Sequence, residues 1–348
     1  MPANVFEDFV AGDVTTYGKR TVGEDDMVAF AQEFDAQPMH VDPQAARETF
    51  AGQLIGSGWY TCSIAMRMFY DNVLAGSSSM GSPGVDQGLW VRPVLPGDTL
   101  QLRQTIAETR TSRSRPEMGL VNFVFDVFNQ KDETVYRQDC WVMFGRREAW
   151  QNRNAENLNG EPAPASQGTQ ESPAADAAQQ PGGAPDIPAR VWFDDLEIGD
   201  TASIGSHHFS AEEIIRFARA FDPQPFHTDP DAARETHFGG LCASGWHTAS
   251  VWMKLTVAHR RAEARRAREA GAEVGRLGPS PGFTNLRWRR PVYAGDVLTY
   301  HSRVADKRIS SSRPGWGIVS TVNSATNARG EPVFSFDGAV FWERRGAD

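Results

Sequence analysis

A chain of 348 residues is long enough for about two domains, each able to bury its own core. With 40% apolar and 23% charged residues its composition is close to the average for soluble globular proteins. A formal net charge of −9 argues against non-specific nucleic-acid binding, while leaving local basic clusters free to meet the phosphate groups of a small ligand. No run of about 20 apolar residues appears, so no membrane partner is expected. The start, Met1-Pro2-Ala3-Asn4-Val5-Phe6-Glu7-Asp8, lacks the basic-then-apolar layout of a signal peptide, and a cytoplasmic location is expected. Cys62, Cys140 and Cys242 are odd in number and widely spaced. They suit neither a disulfide framework nor a zinc knuckle, and are expected as small buried residues.

In chain order, Phe6-Glu7-Asp8-Phe9 and Gly12-Asp13 come first. Thr21-Val22-Gly23-Glu24 has capping-box spacing and opens a predicted helix from Asp25 to Glu33. Just past it, a proline-containing loop carries an acid and an imidazole, Phe34-Asp35-Ala36-Gln37-Pro38-Met39-His40-Val41-Asp42. A second helix is predicted from Ser57-Gly58. Its residues, among them Trp59, Cys62, Ile64, Ala65, Met66, Met68 and Phe69, are apolar on nearly every face, the mark of a buried helix. Strand-like runs follow at Gly88 to Val94, Thr99 to Glu108, Val121 to Asn129 and Val135 to Phe144, separated by turn signals such as Pro96-Gly97-Asp98. From about Gln151 to Ala189 large apolar residues nearly vanish, and a flexible linker is expected between a first unit at 1–150 and a second at 190–348.

The second unit repeats the first. Phe193-Asp194-Asp195-Leu196, Asp222, His227 and Gly245 stand 187 residues after their counterparts Phe6 to Phe9, Asp35, His40 and Gly58. Ser210-Ala211-Glu212-Glu213 again has capping-box spacing, before a predicted helix from Ala211 to Ala220. Past the glycine the offset becomes 198, so that Arg290-Pro291-Val292-Tyr293-Ala294-Gly295-Asp296 answers Arg92-Pro93-Val94-Leu95-Pro96-Gly97-Asp98, and Ser310-Ser311-Ser312-Arg313-Pro314 answers Ser112-Arg113-Ser114-Arg115-Pro116. The added residues fall in the basic, alanine-rich tract from Arg260 to Ala270, which is predicted to prolong the second buried helix. Strands are predicted at Thr284 to Pro291, Val297 to Ala305, Ile318 to Asn323 and Val333 to Trp342. One buried helix followed by several antiparallel strands describes a sheet wrapped around a helix, an α+β class, twice over. Two similar units joined by a linker suggest a homodimer fused into one chain.

These residues resemble the MaoC-like dehydratases, also called the (R)-specific enoyl-CoA hydratase family. That family has the hot-dog fold, with an Asp-x-Asn-Pro-x-His loop followed by x-Asp-Pro, a glycine opening the central helix, and a Pro-Val-x-x-Gly-Asp strand entry. The resemblance covers both halves apart from the linker and the basic tract, and it implies two hot-dog domains packed as an internal pseudo-dimer. It departs from the family at Gln37 and Gln224, which stand for the family's Asn, and at Ser57 and Ser244, where a His is common.

The resemblance implies a hydratase or dehydratase acting on an enoyl-CoA thioester, with coenzyme A as part of the substrate and no separate cofactor or metal. Asp222 and His227 would hold the water and handle the protons, and the backbone N–H of Gly245 would face the thioester oxygen from a helix N-terminus. Asp35, His40 and Gly58 would do the same in the first half, and since neither pair is lost, two competent sites are expected. Arg92, Arg290, Arg115 and Arg313 are candidates for the phosphates of coenzyme A, with a solvated hairpin the competing reading for the last two. Asp42 and Asp229 read as cap or turn residues, His207-His208 as solvent-facing, and Trp59 and Trp246 as core or pocket wall. A hot-dog acyl-CoA thioesterase and a non-catalytic acyl-CoA-binding protein remain as alternatives, and assembly into a further homo-oligomer is left open.

Overall fold

The structure, a computed structural model, describes residues 4–152 and 190–346. The expected linker lies outside the described residues, apart from its first two positions. In the first half, β1 (Val14–Thr21) and α1 (Glu24–Phe34) lead to the short helices α2 (Pro38–Val41) and α3 (Pro43–Ala46). The long helix α4 (Gly58–Phe69) follows, then β2 (Gly84–Trp90), β3 (Thr99–Thr111), β4 (Met118–Phe128) and β5 (Thr134–Gly145). The second half repeats the order with β6 (Thr201–His208), α5 (Ala211–Phe221), α6 (Pro225–Thr228), α7 (Pro230–Arg234), α8 (Gly245–Glu269), β7 (Gly282–Trp288), β8 (Val297–Ile309), β9 (Trp316–Asn327) and β10 (Pro332–Glu343).

The strands form one antiparallel sheet in the order β1-β3-β4-β5-β2-β7-β10-β9-β8-β6. Each half therefore contributes five consecutive positions wrapped around its own helix, the double hot-dog that the resemblance implies. The halves join where β2 pairs with β7, with Val85 opposite Leu286 and Gly88 opposite Phe283. Glycine is required at this seam. A Cβ on Gly84 would stand 2.1 Å from the Leu286 carbonyl oxygen, and one on Gly282 would stand 2.2 Å from that of Gly88.

Alternation fixes the inward face of each strand, as in β3, where Leu100, Leu102 and Ile106 are buried at every second position. Helix α4 buries Trp59 through Ala65 as well as Met68 and Phe69, which is why its sequence carries no polar stripe. One core spans both halves, and α1 and α5 meet edge to face through Phe30–Phe221 and Phe34–Phe217, with ring centroids 5.6 and 5.7 Å apart. Helix α8 runs on through the basic tract to Glu269, as expected. There Arg260 lies 4.0 Å over the Trp342 ring, where burial pulls its pKa down to about 10, and Arg261 donates to the Ala36 carbonyl of the first-half loop. No helix among the described residues is long and apolar enough to cross a membrane.

Three expectations need correction. Strands β2 and β7 begin and end earlier than predicted, because pairing across the seam starts at Gly84 and Gly282 and Trp90 is the last strand residue before the chain turns toward Pro93. Thr21 does not cap α1: it ends β1 with its hydroxyl on Thr99, and the N-cap is Gly23. The second capping box is only half made. Ser210 accepts from the Glu213 N–H, but the Glu213 carboxylate is taken by His207.

Candidate active site

The proline loops of the two halves are built alike. Pro38 and Pro225 start one-turn helices that bring His40 and His227 back toward the acids at the ends of α1 and α5. Asp42 and Asp229 then cap α3 and α7, each accepting two backbone N–H bonds, so they are structural, as read from the sequence. In the second half Gln224 Nε2 donates to Asp222 Oδ1 at 3.0 Å and Ser244 Oγ donates to Oδ2 at 2.6 Å. In the first half Gln37 and Ser57 donate to Asp35 at 2.8 and 2.7 Å. The imidazole Nε2 lies 3.5 Å from the carboxylate Oδ2 in both. Asp35 and Asp222 are 2% and 4% exposed, so both glutamine and serine supply partners that a buried carboxylate requires.

The other imidazole nitrogen settles the tautomer. Nδ1 of His40 meets the Ile55 carbonyl at 2.9 Å, and Nδ1 of His227 meets the Cys242 carbonyl at 2.7 Å. A carbonyl only accepts, so Nδ1 carries the hydrogen and the neutral ring keeps its lone pair on Nε2, facing the acid. Burial pulls the His227 pKa below its ordinary 6.5, against the opposing pull of Asp222 and the Cys242 carbonyl. Cys242 lies beside it, Sγ 3.7 Å from Nδ1, but burial and then Asp222 push the thiol up to about 12, so it stays protonated.

Gly58 and Gly245 open α4 and α8. Ser57 and Ser244 serve twice here, since each hydroxyl also accepts the N–H of the following tryptophan, at 3.3 Å. The first N–H of each helix, that of the glycine, has no intrahelical partner. Glycine is also demanded by packing: a Cβ on Gly245 would fall 2.2 Å from the Trp288 ring, and one on Gly58 would fall 2.3 Å from the Trp90 ring. Each of these indoles donates to the glycine carbonyl at 3.0 Å.

A cavity of about 270 Å³ brings Asp222, Gln224, His227 and Gly245 together with Trp246, Trp288 and Cys242. Its far wall comes from the first half, through Ala65, Met66, Phe69, Val85, Phe125 and Gln138 among others. Gln138 is held by the Tyr136 hydroxyl, which donates to its Oε1 at 2.8 Å. Arg290 lines the cavity together with Arg289, and pairs with Glu331 at 3.4 Å. Arg92 is exposed in the loop after β2, Arg115 pairs with Glu117 at 3.1 Å in the β3–β4 hairpin, and Arg313 lies 4.3 Å over the Phe50 ring. None of these three lines the cavity. Among the described residues no group of three or more His, Cys, Asp or Glu is placed to hold a metal ion.

His207 is not solvent-facing: its Nε2 meets Glu213 Oε1 at 2.6 Å. Glu213 in turn stands 4.0 Å from Nε2 of the buried His247, which stacks on Phe217 with centroids 4.6 Å apart. Sequence reasoning missed His247, since it falls in an apolar helix where it reads as one more buried position.

Comparison with known proteins places this architecture. The family described as the MaoC like domain matches residues 6–122 and again 196–323. An uncharacterized protein, YdeM, of Bacillus subtilis (strain 168) is 26% identical over 140 residues, which are 40% of this chain and 98% of that protein. Protein MaoC of Klebsiella aerogenes is 32% identical over 112 residues, about a third of either chain. Among solved structures, a putative MaoC domain protein dehydratase from Chloroflexus aurantiacus J-10-fl superposes with a TM-score of 0.74 at 20% identity, covering 99% of both chains. A Mycobacterium tuberculosis protein with a double hotdog fold reaches 0.66 at 15% identity over 98% of both. At these identities the structural likeness speaks for the fold.

Proposed function

This chain belongs to the MaoC-like domain family, and on that premise we propose that it is a hydratase/dehydratase that adds water reversibly across the 2,3 double bond of an enoyl-CoA thioester, giving a 3-hydroxyacyl-CoA. The observation that carries this reading is the Asp222–His227 pair, two hydrogen-bond acceptors 3.5 Å apart beside a helix N-terminus on a largely apolar cavity. A carboxylate oxygen and an imidazole lone pair cannot bond each other. A water donating one hydrogen to each satisfies both, and that orientation aims its own lone pair at a bound alkene.

In the addition, the water oxygen bonds to C3 as one water proton passes to the pair. The alkene electrons move toward the thioester oxygen, and the Gly245 N–H, reinforced by the α8 dipole, stabilises the enolate. The pair then returns a proton to C2. A His227 kept neutral by burial suits the accepting role, and Gln224 and Ser244 hold Asp222 so that one oxygen faces the imidazole. Arg289 and Arg290, at the cavity, suit the phosphates of coenzyme A.

The test is to incubate the chain with trans-2-octenoyl-CoA and analyse the products. Loss of enoyl absorbance with formation of 3-hydroxyoctanoyl-CoA is expected. Release of free coenzyme A without a hydrated product would instead identify a thioesterase, and binding without turnover would identify a carrier.

A further inference from the structure

The residues that wall the cavity of Asp222 and His227 differ sharply in size from those at the matching places around Asp35 and His40. The repeat assigns each wall position a partner. Along the central helices Ala65 corresponds to Trp252, and on the sheet Val85 corresponds to Phe283 and Gln138 to Phe336. The first-named residue of each pair lines the open cavity of the second-half site. The large partners gather on Trp59, the residue following Gly58. Phe283 stacks on it with centroids 5.2 Å apart, while Phe336 and Trp252 pack against it at 5.7 and 6.1 Å and against each other at 4.7 Å.

The seam makes room for this. Phe283 lies opposite Gly88, where a Cβ would stand 2.4 Å from the ring, whereas Val85 lies opposite Leu286. Farther along, the sizes reverse, with Phe69, Phe125 and Cys140 answered by Thr256, Asn323 and Gly338. That deeper end is polar: the hydroxyl of Thr256 and the indole nitrogen of Trp252 are buried without partners, and Asn323 is fully buried. Trp252 comes from the second-half helix and reaches Trp59, the residue after Gly58, at 6.1 Å, so the aromatic group stands against the start of the first-half helix. On the other side, Arg261 of the prolonged helix ties down the Ala36 carbonyl beside Asp35.

We propose that Trp252, Phe283 and Phe336 form a plug that denies the first-half pair an acyl chamber, so that the chain binds and turns over one acyl thioester, in the second half. This rests on the thioester reading above and revises the expectation of two competent sites. Asp35 and His40 keep their geometry because a buried carboxylate needs its donors whether or not a substrate is present.

Two measurements on the full chain test it. Calorimetric titration with octanoyl-CoA, which cannot be hydrated, is expected to give one equivalent per chain. Two equivalents overturn the plug whatever the chemistry, and no binding overturns the thioester reading and the plug with it. In turnover of trans-2-octenoyl-CoA, Asp222→Asn is expected to retain under about 1% of the rate, whereas two working sites would leave about half. Opening the plug in that background with Phe283→Val and Phe336→Gln is expected to restore at least tenfold, and adding Asp35→Asn to remove the gain. Should the opened chain not fold, the exchange Val85→Phe with Leu286→Gly carries the same question to the other side. It is expected to lower octanoyl-CoA affinity at least tenfold, and unchanged affinity refutes the plug.

Discussion

Asp35 and Asp222 each accept a hydrogen bond from a glutamine two residues on and from a serine twenty-two residues on, with an imidazole at 3.5 Å. Behind the tryptophan that follows, however, the first half faces Trp252, Phe283 and Phe336, while the second faces Ala65, Val85 and Gln138. The acid, amide, imidazole and serine of a site all come from one half and are fixed by local spacing. The chamber wall comes from the other half, across the β2–β7 seam. A duplicated chain can therefore keep both sets of polar contacts while its two walls diverge, because different parts of the sequence control them.

The largest expected effect is on stability. Phe283→Ala empties a position packed against Trp59 and should cost about 3–5 kcal/mol, while Val85→Ala, beside an existing cavity, should cost roughly 1–2 kcal/mol. Urea unfolding measures both, and equal costs would remove the packing difference between the halves. Next in size, Gly245→Ala sets a methyl against the Trp288 ring and displaces the donor proposed for the enolate. A fall in kcat of about 10²–10³ is expected, the range for loss of one oxyanion donor. If kcat stays within threefold while the variant is folded, the N–H has another role.

A smaller loss is expected for Ser244→Ala. It removes a 2.6 Å bond to Asp222, and a hydrogen bond to a charged group contributes about 1.5–3 kcal/mol. A decrease of roughly tenfold in kcat with little change in KM would place the serine in holding Asp222. A change confined to KM would place it elsewhere.

Much of this was legible before the structure. The constant offset between the copies of the proline loop revealed the duplication, and the helix from Gly58 without a polar face predicted a sheet wrapped around it. The sequence marks no strand at β1, and of β6 only His207-His208, because Val14 to Thr21 and Thr201 to His208 are largely exposed or half-buried and carry no apolar alternation. Ser57 and Ser244 stand where the sequence starts the central helices, and in the structure they are the N-caps. Their second bond, to an acid twenty-two residues earlier, depends on how the loop folds back. In the sequence Gln37 and Gln224 are only departures from the family's asparagine. The structure shows the longer amide reaching the same half's carboxylate. The plug residues align with small partners once the offsets are known, but only the register across the seam tells which site each wall faces.

The smallest effect concerns acid, and it again separates the halves. Burial holds His227 below 6.5 and His247 well below it, while Tyr60 occupies the place of His247 in the first half. Facing His247 are Glu213, the cations Arg216 and Lys254, the histidines 207 and 227, and the rings of Phe34, Phe209 and Phe217. Burial is the largest cause of its shift, and the neighbouring cations and histidines add to it. A histidine whose folded pKa lies below its unfolded value leaves stability intact above 6.5. Stability is then lost as pH falls from there toward the folded pKa, by at most about 1.4 kcal/mol per pH unit for each such residue. Denaturant unfolding at pH 7.5, 6 and 5 should therefore show the chain weakening on the acid side, and His247→Phe should flatten part of that slope, the rest being left to His227 and His259, whose pKa values burial also lowers. An unchanged slope in the variant would mean that the acid sensitivity arises outside the second-half core.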